Sequence, residues 1–282
     1  MTVSAQPQLL IAGLVFPKSP RCRDGRLWFS DMLAGRVMSV DLAGRAQTVA
    51  QASGWVSGLG WLPDGRLLAV SMLDRRLLRL DPGGFGEAAN LEPLTAFVCN
   101  DMVVDDAGRA YVGEVGFDVH GGAPFRPAAL VLVQPDGQAR VVDADLACPN
   151  GVVITPDGRT LIVAESLGDR LTAYRIGADG SLSAKRVWAA IDGLLPDGIC
   201  LDAEGAIWVA SPVKGEILRL REGGEVAQRL ALLAPMPVAV MLGGEDRRTL
   251  FICKGPHPDV APKAMQGCIE TLRVDVPGAG RP

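Results

Sequence analysis

Five polar residues recur at nearly the same distance ahead of a turn glycine. They are Lys18, seven residues before Gly25, and Ser57, Asn100, Asn150 and Asp197, each eight residues before its own glycine. Amide and carboxylate oxygens can hold a hard divalent cation, a carboxylate can act as a general base, and an ammonium group can stabilise an oxyanion. Protein interiors seldom gather such groups without pairing them with each other or with a ligand. The set therefore predicts a binding or catalytic site.

The turn glycines belong to a repeat of short strands that must position these side chains. Runs such as RLLAV, TLIVAE and AIWVAS are rich in Val, Ile, Leu and aromatic residues and are bounded by Gly, Pro and Asp. Asp-Gly between such runs supplies the positive φ of a tight hairpin turn. No window long enough for a helix shows apolar residues at a 3.6-residue period. Equal phase in equivalent strands predicts that the five polar residues face one central channel at one height.

A period of roughly 40 to 50 residues built from short strands is typical of a propeller. We therefore predict an all-β fold, a single six-bladed β-propeller over residues 1–282 with four-stranded blades. The N-terminal strand, residues 7–13, is expected to complete the last blade and close the ring. A run of tandem sandwiches is the alternative. The predicted blades are 16–50, 55–90, 97–145, 148–190, 195–232 and 236–278.

Composition excludes several classes of protein. The 282 residues carry a net charge of −4, with 48% apolar and 21% charged residues, which is typical of a globular protein and excludes disorder. Mild acidity without a Lys/Arg block argues against nucleic-acid and membrane partners, so a small-molecule substrate is expected. The start lacks the features of a secretory signal and the apolar runs are too short to span a bilayer, so the cytoplasm is expected. Six scattered cysteines without a CxxC pair are expected to be reduced.

A second polar set follows the turns and is expected at the same end of the propeller. Its members are Asp31, Ser71, Glu114, Glu165, Ser211 and Lys254. Glu114 is predicted to contact substrate, and capping of strand ends with bound water is the alternative for every member. His120, in GFDVHGG, is predicted to lie on a loop over the channel mouth, where it either contacts substrate or faces solvent. His120 and His257 share no motif, which gives little support to a zinc site or a Ser–His–Asp triad.

Four segments resemble the gluconolactonase family, which includes regucalcin and luciferin-regenerating enzyme. They are FPKSPRCRDGRLWFSD, CNDMVVDDAGRAYVG, PNGVVITPDGRTLIVAES and PDGICLDAEGAIWVA, and the similarity runs from Phe16 to Lys254. The resemblance implies a six-bladed propeller that hydrolyses small lactones with one divalent cation (Ca, Zn, Mn or Fe) in its channel. Motif by motif, it places the site on Asn100, Asn150 and Asp197, of which Asn150 and Asp197 would be ligands of a retained cation.

Two positions depart from the family pattern. Lys18 stands where the resemblance implies a glutamate ligand, and a charged ammonium has no lone pair to offer a cation. We therefore predict no cofactor and weak or absent cation dependence. Val98 stands where relatives that act on sugar acids have an arginine. With Trp55 ahead of Ser57, this mouth is less suited to a polyhydroxylated substrate.

The predicted function is hydrolysis of a small, relatively apolar lactone or ester. Lys18 is the predicted oxyanion-stabilising group and Asp197 the predicted general base. The residues predicted to bind substrate are Ser57, Trp55, Val98, Asn100, Glu114, His120 and Asn150. Three alternatives stay open. One is a lyase that forms an imine on Lys18, another is a non-catalytic small-molecule binder, and the third is an inert scaffold in which Lys18 pairs with Asp197, Asp31 or Glu114.

Overall fold

A computed structural model describes residues 6–232, 234–257 and 265–280, which form six antiparallel four-stranded sheets. We number these sheets as blades 1 to 6 in chain order. Blade 1 contains β2 (Pro17–Arg23), β3 (Arg26–Asp31), β4 (Arg36–Val40) and β5 (Ala46–Gln51). Blade 2 contains β6 (Val56–Trp61), β7 (Leu67–Ser71), β8 (Arg76–Asp81) and β9 (Gly84–Asn90). Blade 3 contains β10 (Cys99–Val104), β11 (Ala110–Glu114), β12 (Ala128–Val133) and β13 (Ala139–Leu146).

The last three blades repeat this plan. Blade 4 contains β14 (Pro149–Ile154), β15 (Thr160–Glu165), β16 (Arg170–Ile176) and β17 (Leu182–Ala190). Blade 5 contains β18 (Ile199–Leu201), β19 (Ile207–Ser211), β20 (Glu216–Leu220) and β21 (Val226–Ala231). Blade 6 contains β22 (Met236–Gly243), β23 (Thr249–Gly255), β24 (Gly267–Arg273) and the N-terminal strand β1 (Gln8–Leu14). In the described part of the chain the helices are three 3₁₀ turns, Met32–Ala34, Glu92–Leu94 and Ser166–Gly168, and none of them could cross a membrane.

The first strand of each blade is innermost, and these strands form a closed cycle. Strand β2 contacts β6 and β22, β10 contacts β6 and β14, and β18 contacts β14 and β22. The six-bladed propeller is therefore confirmed, and its closure by the N-terminal strand follows from the pairing of β1 with β24. Strand β1 supplies the outermost strand of blade 6, so that all six blades have four strands. We call the end at which the innermost strands begin the mouth end.

Burial decreases outward from the channel. Strand β12 is buried along its whole length, whereas the outermost strand β17 is largely exposed. Large side chains such as Trp208, Tyr111 and Phe29 are fully enclosed between blades. The six cysteines are free thiols, five of them buried, which agrees with their interpretation as small apolar residues.

Glycines hold adjacent innermost strands together near the mouth. The Gly151 amide donates to the carbonyl of Asp197 at 3.1 Å, and the Gly198 amide donates to the carbonyl of Val238 at 3.0 Å. A Cβ at Gly198 would lie 2.4 Å from the Cβ of Ala239, and one at Gly151 would lie 2.5 Å from the Ile199 nitrogen. Only glycine allows this approach, which explains the Asn-Gly and Asp-Gly pairs at these strand starts.

We expect Gly198→Ala to lower the free energy of unfolding by ~1–3 kcal/mol, because the added methyl group must push two packed strands apart. Chemical denaturation measures this change. Gly83→Ala is the matched control, since a Cβ at Gly83 meets nothing within 4 Å. Equal unfolding free energies for the two variants would contradict the close-approach explanation.

The far end of the channel is narrow and closed by the C-terminal segment. The Gly278 amide donates to the Arg247 carbonyl at 2.8 Å, and the Ala279 amide donates to the Leu201 carbonyl at 3.0 Å. A cavity of about 40 Å³ remains there, lined mainly by Val, Ile, Leu and Met side chains. This half of the channel is therefore small and mainly apolar, whereas the polar residues that begin the innermost strands lie at the mouth end.

Candidate active site

Strand pairing places the five polar residues at equivalent positions. In blades 1 to 4, the first residue of the first strand pairs with the last residue of the second strand. These pairs are Pro17–Asp31, Val56–Ser71, Cys99–Glu114 and Pro149–Glu165. Ser57, Asn100 and Asn150 come directly after these pairs, where the register shifts in a β-bulge. Lys18 also follows its pair, but it still pairs with Ser30 and the bulge of blade 1 begins after it. A bulge redirects a side chain without ending the strand.

The fifth and sixth positions belong to blades 5 and 6. The amide of Asp197 donates to the carbonyl of Ala210 at 2.9 Å, which places Asp197 at the start of the inner edge of blade 5. In blade 6 the pair Pro237–Lys254 is followed by Val238, a buried apolar residue. We call Lys18, Ser57, Asn100, Asn150 and Asp197 the polar ring. All five are buried.

Lys18 and Asp197 form an ion pair within this ring. The Lys18 Nζ atom lies 2.9 Å from Asp197 Oδ1, and the two side chains are only 9% and 12% exposed. Burial raises the pKa of Asp197, whereas the Lys18 charge and the Asn150 amide act in the opposite direction.

Asn150 presents an unused acceptor beside this pair. Its Nδ2 donates to Ser166 Oγ at 3.3 Å, and Ser166 Oγ donates to the carbonyl of Pro196 at 2.7 Å. Its Oδ1 is buried without a partner in the described structure. A buried acceptor of this kind is costly unless a ligand or water meets it. The arrangement is therefore suited to bind a donor next to Asp197.

The other side of the ring is internally satisfied. Ser57 Oγ lies 3.2 Å from Ser19 Oγ and donates to Asn100 Oδ1 at 3.5 Å. Asn100 Nδ2 donates to the carbonyl of Pro149 at 3.3 Å. These groups have partners already, so the half formed by Lys18, Asn150 and Asp197 is the chemically available one.

A second buried ion pair lies next to the ring and was not anticipated. Arg21 pairs with Asp101 at 3.0 Å, and both are buried. Arg21 also lines the far-end cavity, so the pair separates that cavity from the ring. The sequence did contain a signal for this ion pair. Glycine follows the ring residues Ser57, Asn150 and Asp197, whereas the charged residue Asp101 follows Asn100.

The second polar set has structural roles. Both oxygens of Glu114 accept backbone amides, from Phe97 at 2.8 Å and from Ala129 at 3.0 Å. Glu114 thus fixes the start of blade 3, as the strand-capping alternative expects, and its contact with substrate stays a prediction. Two other carboxylates also accept backbone amides, Asp31 from Val15 and Phe16 and Glu165 from Ala147. The last three members have other partners: Ser71 donates to Asp74, Ser211 donates to the carbonyl of Leu194, and Lys254 forms an ion pair with Glu270.

An apolar layer lies above the ring. In blades 1 to 4 the residues two positions before the ring are Phe16, Trp55, Val98 and Cys148. The carbonyl of each accepts a hydrogen bond of 2.9–3.0 Å from the amide of the first residue after the second strand of its blade. Leu195 and Met236 hold the same sequence position in blades 5 and 6. We call these six residues the collar. Trp55 and Val98 were predicted at the mouth, and the remaining four complete a collar without a charged side chain.

The two histidines meet at the mouth end. His120 lies in the connection between β11 and β12, and His257 follows β23. Their rings contact edge to face, with centroids 6.2 Å apart. Blades 3 and 6 are opposite each other, so the contact joins loops from opposite sides of the mouth. The described residues hold no cluster of three His, Cys, Asp or Glu side chains arranged for a metal.

The ring does not fit the divalent cation that the family implies. Asp197 is the only carboxylate among the five ring residues, and the ammonium group of Lys18 lies 2.9 Å from its Oδ1. A bound cation would have to push that ammonium away from Asp197, and the two positive charges would still repel each other. No chemical step is therefore assigned to a metal.

Comparison with known proteins agrees with this fold and motif arrangement. The model of the SMP-30/Gluconolactonase/LRE-like region matches residues 16–255. A 6-deoxy-6-sulfogluconolactonase of Pseudomonas putida is 29% identical over 272 residues, covering 92% of this chain and 91% of that protein. A pentonolactonase of Haloferax volcanii is 28% identical over 91% of this chain and 89% of that one.

Solved structures show the same architecture. A calcium-binding regucalcin from Agrobacterium tumefaciens superimposes with a TM-score of 0.83 at 22% identity, covering 100% of this chain and 98% of that one. A luciferin-regenerating enzyme gives a TM-score of 0.82 at 18% identity, with 97% of each chain covered. The family match spans every position of the polar ring. The chain is therefore a member of the SMP-30/gluconolactonase/LRE-like family.

Proposed function

We propose that this protein hydrolyses a small, relatively apolar lactone or ester, with Lys18 in the role that a cation would otherwise take. The observation that carries the proposal is the buried Lys18–Asp197 pair beside the unpartnered Asn150 Oδ1. Together they offer one positive donor, one carboxylate and one acceptor at a single point. The lactonase names of two relatives that match nearly the full chain support the same reaction class.

The reaction follows from these three groups. Lys18 donates to the substrate carbonyl oxygen, while Asn150 Oδ1 and Asp197 accept the two hydrogens of a water molecule. Asp197 takes one proton as the water oxygen bonds to the carbonyl carbon, and the Lys18 ammonium stabilises the resulting oxyanion. When the intermediate collapses, the ring C–O bond breaks and Asp197 returns the proton to the leaving oxygen. The product is a hydroxy acid.

The imine alternative is disfavoured by the same pair. A lysine attacks a carbonyl through the lone pair of its nitrogen, and the Nζ atom of Lys18 is held 2.9 Å from Asp197 Oδ1. Incubation with a panel of alkyl lactones and esters, followed by borohydride, separates the mechanisms. We expect hydroxy-acid product and no added mass on Lys18. A reduced adduct on Lys18 would favour the lyase.

A non-catalytic binding propeller is the second candidate, because Lys18 and Asp197 already neutralise each other. Binding of lactones without turnover, unchanged by replacement of Asp197, would favour it. We propose in addition that the protein functions without a tightly bound divalent cation. Metal analysis of protein purified without chelator tests this, and a stoichiometric ion lost on Asp197→Asn would contradict it.

On the acid side of its pH profile, kcat/KM should begin to fall at a pH above the ordinary pKa of an aspartate. A general base works only when deprotonated, so kcat/KM falls as the pH drops through the pKa of Asp197. Burial raises that pKa, and the limb should therefore lie above pH ~3.9, the usual aspartate value. A pH profile of kcat/KM over the range in which the protein stays folded measures it. A profile that is flat down to that value would exclude Asp197 as the base.

A further inference from the structure

Exposed apolar side chains are concentrated at the mouth end. In the described part of the chain, seven of the twelve large apolar residues that are exposed lie in mouth-end connections. These seven are Trp55, Leu73, Val119, Phe125, Leu167, Val213 and Met265. Scattered exposed apolar residues are ordinary, but a cluster at one end marks a binding surface.

Part of this cluster repeats from blade to blade. Leu33, Leu73, Leu167 and Val213 each stand two residues after the end of the second strand of their blade. Leu73, Leu167 and Val213 are 48%, 41% and 72% exposed, and Leu33 is half-buried. We call these four residues the rim. Their equivalence means that the rim surrounds the mouth rather than forming a patch on one side.

The charged groups of these connections are engaged with their own blades. Arg36 pairs with Asp31 and Arg170 with Glu165. Asp74 accepts from Ser71 at 3.0 Å, and Lys214 donates to the Asp192 carbonyl at 2.9 Å. Each of these charged groups has a partner on its own or the preceding blade, although Asp74 and Lys214 remain exposed beside the apolar residues of the rim.

The rim is continuous with the collar. Leu33 of the rim and Val98 of the collar pack against one buried cluster that includes Phe16 and Met72. A Cβ at Gly54 would lie 4.0 Å from Leu73 Cδ1, so Leu73 lies beside the residue that precedes Trp55. Collar and rim thus lie at the same end of the propeller as the polar ring, and every member is apolar. Two residues of strand separate ring and collar by about 6.6 Å.

We propose that the substrate carries a hydrocarbon chain, which runs from the polar ring across the collar to the rim. This inference rests on the proposed lactone hydrolysis. Among the described residues, the polar groups of the ring that are not held by neighbouring blades are those of Lys18, Asn150 and Asp197. A lactone with several hydroxyls would therefore lose hydrogen bonds to water at the apolar collar without replacing them. An alkyl lactone would place its single ester group at the ring and its chain on the apolar path.

A chain-length series tests the proposal with γ-valerolactone, γ-octalactone and γ-dodecalactone. We expect kcat/KM to rise up to about fourfold per methylene, which is ~0.8 kcal/mol per buried methylene converted at ~1.36 kcal/mol per tenfold. In the double variant Leu73→Asp/Leu167→Asp the gain for γ-dodecalactone should be lost, while γ-valerolactone is hydrolysed as before. Leu42→Asp is the matched control, because Leu42 is 53% exposed at the opposite end.

Binding of 1-decanol, measured by calorimetry against 1-butanol, separates failure of this inference from failure of the proposed function. Tighter binding of 1-decanol, lost in the rim variant, would support the apolar path even if no lactone were hydrolysed. Hydrolysis of every lactone at the same rate would overturn the path and leave the hydrolase intact. The proposed apolar path would also be contradicted if the rim variant changed only self-association or binding to phosphatidylcholine vesicles.

Discussion

Asp197→Asn should reduce lactone turnover by about 10²–10⁴-fold, the usual contribution of a positioned general base. Lys18→Met should reduce lactone turnover by about 10²–10³-fold, because it removes the donor that faces the developing oxyanion. Steady-state kinetics with the best alkyl lactone of the panel measures both effects. Turnover retained in Asp197→Asn would contradict the proposed mechanism.

The same two substitutions should reveal the ion pair in stability measurements. Each single variant leaves a buried charge without its partner, which costs about 3–5 kcal/mol. The double variant Lys18→Met/Asp197→Asn leaves no charge at the site and should be more stable than the sum of the single effects implies. Denaturant titrations of the four proteins measure this coupling. Additive effects would mean that the 2.9 Å contact contributes nothing to the fold.

Lys18→Glu should convert the ring into a cation site. The substitution places a second carboxylate beside Asp197 and Asn150, the ligand types that Ca²⁺ prefers. Without a cation, the two carboxylates repel each other and the variant should unfold at a lower temperature than the original chain. With Ca²⁺ at about 100 times its Kd, stability should rise by ~2.7 kcal/mol. Thermal unfolding with and without Ca²⁺ measures the shift.

Lys18→Gln is the matched control for this conversion, because it removes the ammonium without adding a carboxylate. Neither Lys18→Gln nor the original protein should respond to Ca²⁺. A response of the original protein as large as that of Lys18→Glu would show that the ammonium does not block the site. Such a result would contradict the proposed independence from a divalent cation.

The equal height of the ring residues could be predicted because it depends on local periodicity. Strand alternation and turn position determine which residue of each blade begins the inner edge, and both are encoded within about ten residues of chain. The shorter spacing before Gly25 also has a local cause. Blade 1 closes its first hairpin with the pair Arg23–Arg26, whereas blade 3 uses the longer connection between Val104 and Ala110.

The partners of polar groups could not be predicted in the same way. Glu114 has the same sequence signature as a site residue, yet its oxygens accept amides from Phe97 and Ala129 on either side of its strand. Arg21 and Asp101 are 80 residues apart and meet only because β2 and β10 face one channel. Such contacts depend on where the blades pack, which no local pattern contains.

The amino-acid order alone determined the strand repeat, the closed six-bladed ring and the positions that face the channel, because turn chemistry and alternation act over short stretches of chain. Tertiary structure decided which of those side chains is free to react. It brought Lys18 to Asp197 from blades 1 and 5 and joined His120 to His257 across the mouth. Among the described residues it also left Asn150 Oδ1 without a partner. These outcomes depend on the burial and competition for partners that closure of the ring imposes on residues far apart in the chain.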